Sequence, residues 1–413
     1  MPAFNRRWLG PILGLTIVLS PVAAWAQAAS ELTLAEALAR ASSASPTLTA
    51  AEAEVAAARG RAQQAGLLPN PELDLSVENF AGTGEFGGLG GSEASLVVAQ
   101  RFEFGGKRSA RRTAAEAEIE TARLRLMVAR ADLEKDVRDA FAESLAARSR
   151  VDLARDQFVR AEELSRVATT LVEVGREPPL RSLRARTAAL EAVAAVRAAE
   201  ARFAEAQRAL AALWGDSAEA PDPVASEELP PAPSFDPANV IDVRLAEAEV
   251  AASVAAVNRE RSVSRPDVTL SVGARSFRAT DDTAVIFGAT MPLGVFDRNQ
   301  GGIAAANADR IGAEARRNAA LAAAIRRSRD ASAALNTSDA RVTFLRDRAE
   351  PESIEAVRIA REGFAAGKFT LLDVLDAEGA LNTVQSELIN AQLERAQAIA
   401  ALIRASEAEG NFQ

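Results

Sequence analysis

The 413-residue sequence has no cysteine, no histidine and no tyrosine, and only three lysines. Without cysteine there is no disulfide framework, no thiolate metal site and no lipidated N-terminal thiol. Without histidine the usual general base and the commonest transition-metal ligand are missing everywhere. Zinc or copper chemistry would have to rest on carboxylates alone. Long hydrophobic runs are also scarce. Beyond the N-terminal leader no segment reaches the roughly 18–20 uninterrupted apolar residues of a spanning helix. That excludes an inner-membrane pump or permease, but not a β-barrel, whose strands alternate and barely register in hydropathy. Positive charge is in deficit too: the formal net charge is −9, which leaves no electrostatic footprint for nucleic acid.

What is present begins with an address. Arg6 and Arg7 form a positive start, Leu9 to Val22 an apolar stretch interrupted by Pro11 and Pro21, and Ala24-Trp25-Ala26 a cleavage site. Residues 1–26 therefore read as a signal peptide, with the mature chain starting near Gln27. Losing two arginines takes the charge from −9 to −11. Aromatics are only 5% and charged residues 25%. With alanine dominant, that composition points to long, closely packed helices.

The chain reads as two similar halves. Pro69-Asn70-Pro71 leads into one alternating run and Arg265-Pro266 into another, about 195 residues later. Gly175 to Leu183 matches Gly367 to Leu375 at an offset of 192, and Gln100-Arg101-Phe102 matches Met291-Pro292-Leu293 at 191. Nearly one offset at three landmarks implies a tandem structural repeat. The expected organisation is residues 27–219, a Pro-rich linker at 220–237, and residues 238–413.

Within each half the pattern predicts a helix, two strands, a very long helix, a tight turn and another long helix. Thr33 with Glu36 three residues on reads as a helix-opening capping box. Arg108 to about Leu171 keeps helical periodicity without a proline, with Ile119, Leu126 and Leu133 at seven-residue steps. Some 60 residues at about 1.5 Å each give about 90 Å, too long for an ordinary globular domain and suited to a coiled coil. In the second half Leu321, Leu335 and Val342 keep the period.

Four strands are expected, at about 72–79, 94–103, 267–276 and 283–293. Leu73, Leu75 and Val77 oppose Glu72, Asp74, Ser76 and Glu78; Val268, Leu270 and Val272 oppose Asp267, Thr269 and Ser271. Each is close to the 9–11 residues of a membrane-crossing strand. Four strands cannot close a barrel, since the smallest bacterial ones use about eight, so the chain must oligomerise to satisfy its edges. Two copies would give eight strands and three would give twelve.

This layout resembles the TolC-like outer-membrane efflux family across essentially the whole mature chain. Gly367-Lys368-Phe369-Thr370-Leu371-Leu372-Asp373-Val374-Leu375-Asp376-Ala377 looks like that family's second tip turn. The corners Gln100 to Arg108 and Met291 to Gly301 look like those of the CzcC-like branch, which serves cobalt–zinc–cadmium resistance. The resemblance implies an α+β membrane protein. Long antiparallel coiled-coil helices would form a periplasmic α-barrel, and four strands per chain would contribute to a shared, trimeric, twelve-stranded outer-membrane β-barrel. It implies a homotrimer without cofactor or catalysis, set in outer-membrane lipid. Its partners would be a periplasmic adaptor and an inner-membrane resistance-nodulation-division pump.

Site residues follow from the same match. Asp373 and Asp376 fall on the family's acidic tip positions, where a ring of carboxylates would narrow the periplasmic entrance and attract cations. The plainer reading makes them the start of a helix. Their first-half equivalents are Arg181 and Arg184, which could close the tip by an inter-turn salt link. Phe369 stands where the family's best-known member carries arginine, so that latch does not transfer and an apolar plug could take its place. Gly175, Leu180, Leu183, Gly367, Leu372 and Leu375 form the candidate adaptor-docking tip, against a reading of packing within the tip. Lys107, Arg108, Arg111 and Arg112 follow a strand end and read as a basic cluster snorkelling at the membrane interface. Gly82 to Gly87 fits G-x-G-x-x-G, but Gly88-Leu89-Gly90-Gly91 forbids the helix a dinucleotide site needs.

The leading function is thus a passive export duct for heavy-metal cations. The alternatives are the same duct for organic drugs, a periplasmic coiled-coil scaffold or adaptor, and a periplasmic enzyme. The paired amphipathic strands oppose the scaffold, and the missing histidine and cysteine oppose the enzyme.

Overall fold

The computed structural model describes residues 31–224 and 235–408. The leader and the middle of the Pro-rich stretch lie outside these residues. Helices α1 (Leu34–Ala44) and α2 (Pro46–Ala65) lead into strands β1 (Glu72–Glu78) and β2 (Glu93–Phe102). Helices α3 (Lys107–Glu173) and α4 (Pro179–Ala212) follow. The order then recurs: α5 (Ile241–Val263), β3 (Val268–Phe277), β4 (Asp282–Thr290), α6 (Gln300–Phe344), α7 (Glu350–Ala365) and α8 (Leu371–Ser406). The capping box at α1 is formed, with the Thr33 hydroxyl accepting from the Glu36 N–H and the Glu36 carboxylate from the Thr33 N–H.

The strands make one antiparallel sheet in the order β1-β2-β3-β4. Its register lines up every alternation. Leu75 lies opposite Leu96, Leu96 opposite Ala274, and Ala274 opposite Val285. One row over, Leu73, Val98, Val272 and Phe287 follow one another across the sheet. One face is therefore a continuous apolar band, and it is open: Leu75 is 72%, Val285 82% and Phe287 73% exposed. The other face carries Glu72, Asp74, Ser76 and Glu78 beside Arg275, which pairs with Glu93 at 3.1 Å and donates to the Ser95 hydroxyl. β4 ends at Thr290, short of the expected position 293. The next rungs would join Pro292 to a partner strand preceded by Pro266, and neither proline has an N–H to give.

Helix α3, with 67 residues, is about 100 Å long. Near its start it packs on α2 through Ala122, Val55 and Ala58. Far from the sheet it meets α4, α7 and α8 through Leu164 and Ala168. Helices α6 and α7 form the matching rod, joined by a five-residue π turn, Leu345–Ala349, that ends two residues before Pro351. A proline ring collides with the carbonyl four residues back, and widening the preceding turn makes room for it without ending the helix.

More than half of the buried apolar helix positions are alanines, so the backbones approach closely. Halfway along, Leu32, Leu48, Leu133, Val137, Phe141 and Leu210 pack into the largest core cluster. Beside it Arg404 of α8, almost fully buried, clasps α5 through Asp242 at 2.8 Å and α3 through Asp132 at 2.5 Å. Burial pushes the Asp242 carboxyl up, but hydrogen bonds and charge from Arg404 outweigh it and hold the group below its ordinary value. No helix among the described residues is long and apolar enough to cross a membrane.

Candidate gate and docking tip

At the end remote from the sheet, two helix hairpins lie side by side, and their turns are built alike. In the first, the Arg176 N–H donates to the Leu171 carbonyl at 2.9 Å and the Gly175 N–H to Val172 at 3.0 Å. In the second, the Lys368 N–H donates to Gly363 at 2.8 Å and the Gly367 N–H to Phe364 at 2.9 Å. Both are Schellman closures, which require a left-handed residue after the helix cap. Gly175 and Gly367 supply it, with φ of 73° and 75°. A side chain at either would be strained.

The second turn then starts α8 with a capping box. Asp373 accepts from the Thr370 N–H at 2.6 Å and from its hydroxyl at 2.8 Å. Those bonds hold the Asp373 carboxyl below the usual aspartate range. Asp376 stands exposed one turn on. Arg181 pairs with Glu177 of its own turn at 2.8 Å. Among the described residues, no ion pair within one chain joins Arg181 or Arg184 to Asp373 or Asp376. The ring of Phe369 folds back onto Gly363, with no space for a β-carbon between them.

Between the first turns of α4 and α8 lies an open groove of about 930 Å³. Leu180, Leu183, Leu372 and Leu375 line it with Arg181 and Arg184, so it gathers six of the residues singled out in the sequence. Leu180, Leu183 and Leu372 are more than half exposed. Leu375 leans instead on the buried tip cluster of Leu164, Ala168, Ala185, Ala360, Phe364, Leu371 and Val374.

Immediately behind the tip is a feature the sequence did not reveal. Glu378 of α8, largely buried, takes Arg160 of α3 at 3.0 Å on one oxygen and Arg361 of α7 at 2.8 Å on the other. Arg160 also donates to Asn382 at 3.0 Å. One carboxylate thus ties the two hairpins together. Its partners lie 218 and 17 residues away in the chain, and no local pattern marks such a set.

At the opposite end of the helices, the basic cluster is used within the chain. Lys107 pairs with Asp267 at 2.7 Å, both shielded from solvent. Arg108 donates to the Gly66 carbonyl at 2.6 Å, closing the end of α2. Arg111 grips Glu103 with two nitrogens, one at 3.0 Å, and that hydrogen bond raises its pKa. Arg108 and Arg112 are the exposed members, and Arg112 pairs with Glu116 at 2.8 Å. Gly82 to Gly87 forms a loop with one short 3-10 turn, Gly84–Phe86, and no helix follows.

A sheet with one open apolar face, carried on 100-Å helices, is reflected in the proteins this chain is similar to. The family model described as outer membrane efflux protein matches residues 33–216 and 238–406. The cobalt-zinc-cadmium resistance protein CzcC of Cupriavidus metallidurans is 34% identical over 86% of this chain and 85% of its own length. The nickel-cobalt-cadmium resistance protein NccC of Alcaligenes xylosoxydans xylosoxydans is 34% identical over 63% of this chain and 60% of its own. Among solved structures, the outer membrane protein VceC of Vibrio cholerae shares the fold with a TM-score of 0.76 at 24% identity, covering 91% of this chain and 96% of VceC. The chain belongs to the outer membrane efflux protein family and is a channel-type protein of the outer membrane.

Proposed function

We propose that this chain is one of three identical subunits of the exit duct of a tripartite heavy-metal efflux system. The sheet carries the reading. Its apolar band is exposed on one face, both edge strands are unpaired, and neither condition is stable for a protein alone in water or in lipid. Three copies give twelve strands, within the range of bacterial barrels. The helices extend the conduit about 100 Å from the membrane. The duct carries out no chemistry of its own; an inner-membrane pump drives export through a periplasmic adaptor. The groove of Leu180, Leu183, Leu372 and Leu375 suits the adaptor's tip, being apolar, exposed and rimmed by Arg181 and Arg184. Asp373 and Asp376, three times repeated near one axis, suit a cation-attracting entrance.

Heavy-metal cargo is supported by the similarity to CzcC and NccC, metal-resistance proteins at 34% identity. Deleting the gene in its own host and measuring growth on cobalt, zinc, cadmium, nickel and copper beside dyes and antibiotics tests it. Sensitisation to metals alone, reversed by the intact gene, is expected. Sensitisation to organic compounds alone would keep the duct and remove the metal assignment.

A further inference from the structure

The register of the sheet constrains how a second copy adds to it, given the duct reading above. Glu72 lies opposite Ala99, Ala99 opposite Ser271, and Ser271 opposite Gly288. The next position belongs to β1 of the neighbouring copy. Whichever residue it is, its distance from Glu72 is the climb of the barrel per chain. Side chains alternate, so the apolar band stays continuous only for an even climb. Three identical chains then allow only multiples of six for the whole barrel.

Part of the climb is visible within one chain. Pro71 and Pro266 open the equivalent strands β1 and β3. Glu72 is one residue after the first proline, while Ser271, two strands across, is five after the second. That is a climb of four. A further four at the interface would total twenty-four for the trimer, a strand tilt of about 55° for rungs of about 3.4 Å and strands about 4.8 Å apart. A further two gives eighteen and about 47°, while none gives twelve and about 35°; barrels cluster at about 35–45°.

Exposed side chains distinguish the last two. The alternation of β4 does not stop at Thr290: Met291 and Leu293 continue the row of Val285, Phe287 and Ala289, and Leu293 is 74% exposed. At a climb of six per chain, Met291 falls opposite Leu75 of the neighbouring copy and Leu293 opposite its Leu73. At four, Leu293 runs past the end of β1 and faces a proline.

We propose that β1 of a second copy adds antiparallel to β4 with Thr290 opposite Ser76, and that this pairing draws Met291–Leu293 into the strand. The apolar band then crosses from chain to chain without a break. Backbone groups alternate between the two edges of a strand, and the Arg278 N–H donating to Ser92 sets the Pro292 nitrogen on the β3 side, so its missing N–H costs this ladder nothing.

The protein contains no native cysteine, so introduced pairs are its only thiols. In one chain β1 and β4 lie at opposite edges of the sheet, and a disulfide between them can form only between copies. Full-length Thr290→Cys is combined in turn with Asp74→Cys, Ser76→Cys and Glu78→Cys, and Leu293→Cys with Leu73→Cys. Each is oxidised in outer membranes and run without reductant, and the mass of the detergent-purified assembly is measured alongside. Directly opposed residues meet the disulfide limit of about 4.4–6.8 Å between Cα atoms, whereas residues shifted by two exceed it. Covalent dimers and trimers are expected from the Ser76 and Leu73 pairs, severalfold above the Asp74 and Glu78 pairs. A maximum at Asp74 or Glu78, or no disulfide from any pair in an intact trimer, overturns the register and leaves the duct standing. A monomer by mass overturns both.

Discussion

The ring of Phe369 rests on the bare Cα of Gly363, six residues earlier across the second tip turn. The Gly363 carbonyl also accepts from the Phe369 N–H at 3.2 Å, so side chain and backbone close the same turn. In the first turn Glu177 takes the Phe369 place and donates its N–H to Leu171 at 3.2 Å, while its carboxylate holds Arg181. The two hairpins therefore share one backbone closure, sealed by a ring in one and by an ion pair in the other.

Glycine in a helix is disfavoured relative to alanine by about 1 kcal/mol, so Gly363→Ala would ordinarily stabilise α7. Here the new methyl displaces the ring, and the variant is expected to loosen the tip. Combined with Phe369→Ala, the same change should stabilise by about 0.5–1 kcal/mol. Hydrogen exchange at the second turn, followed through the double-mutant cycle, reads the change of sign. Equal effects in both backgrounds would show that the ring does not occupy this place.

Replacing Glu378 by glutamine leaves Arg160 partly buried without its carboxylate partner, and Arg361 with only the longer contact to Glu163 at 3.8 Å. The expected cost is about 3 kcal/mol, at the low end for a broken buried pair because both guanidinium groups keep some solvent. Exchange should rise in α7 and in the tip halves of α3 and α8, while the sheet is unchanged. Uniform loss of protection along the whole chain would contradict a local tie.

How much of this was legible in the sequence depended on how far apart the determining residues lie. Leu73, Leu75 and Val77 marked their own face, because alternation is a property of neighbours in the chain. The uninterrupted stretch after Arg108 likewise announced α3, and the π turn allowed the rod of α6 and α7 to continue through Pro351. The charged residues were another matter. Lys107 was legible as a cation after a strand but not as the partner of Asp267, 160 residues away. Arg160 and Arg361 look like ordinary solvated helix arginines until the fold brings Glu378 between them. Periodicity reports which face a residue occupies and carries no information on which distant charge meets it.

The clasp at mid-height makes a pH-dependent prediction. Asp242 has a lowered pKa in the folded protein. It therefore contributes stability above the ordinary aspartate value of about 3.9, lost as pH falls through its depressed value. Arg404→Met removes the main cation and leaves Asp242 with burial against its charge and only Arg327, at 3.4 Å, in favour of it. The variant should be less stable by about 3 kcal/mol at pH 7, with the deficit shrinking towards pH 3. Thermal unfolding of both proteins at the two pH values measures it, and a deficit independent of pH would contradict the assignment.

The central claim is a duct through the outer membrane, and single-channel recording of the purified full-length protein in a planar lipid bilayer tests it most directly. Discrete, cation-selective conductance steps are predicted, with selectivity reduced when Asp373 and Asp376 are both replaced by alanine. Membrane-inserted protein that passes no current under any condition, the double variant included, would contradict the account.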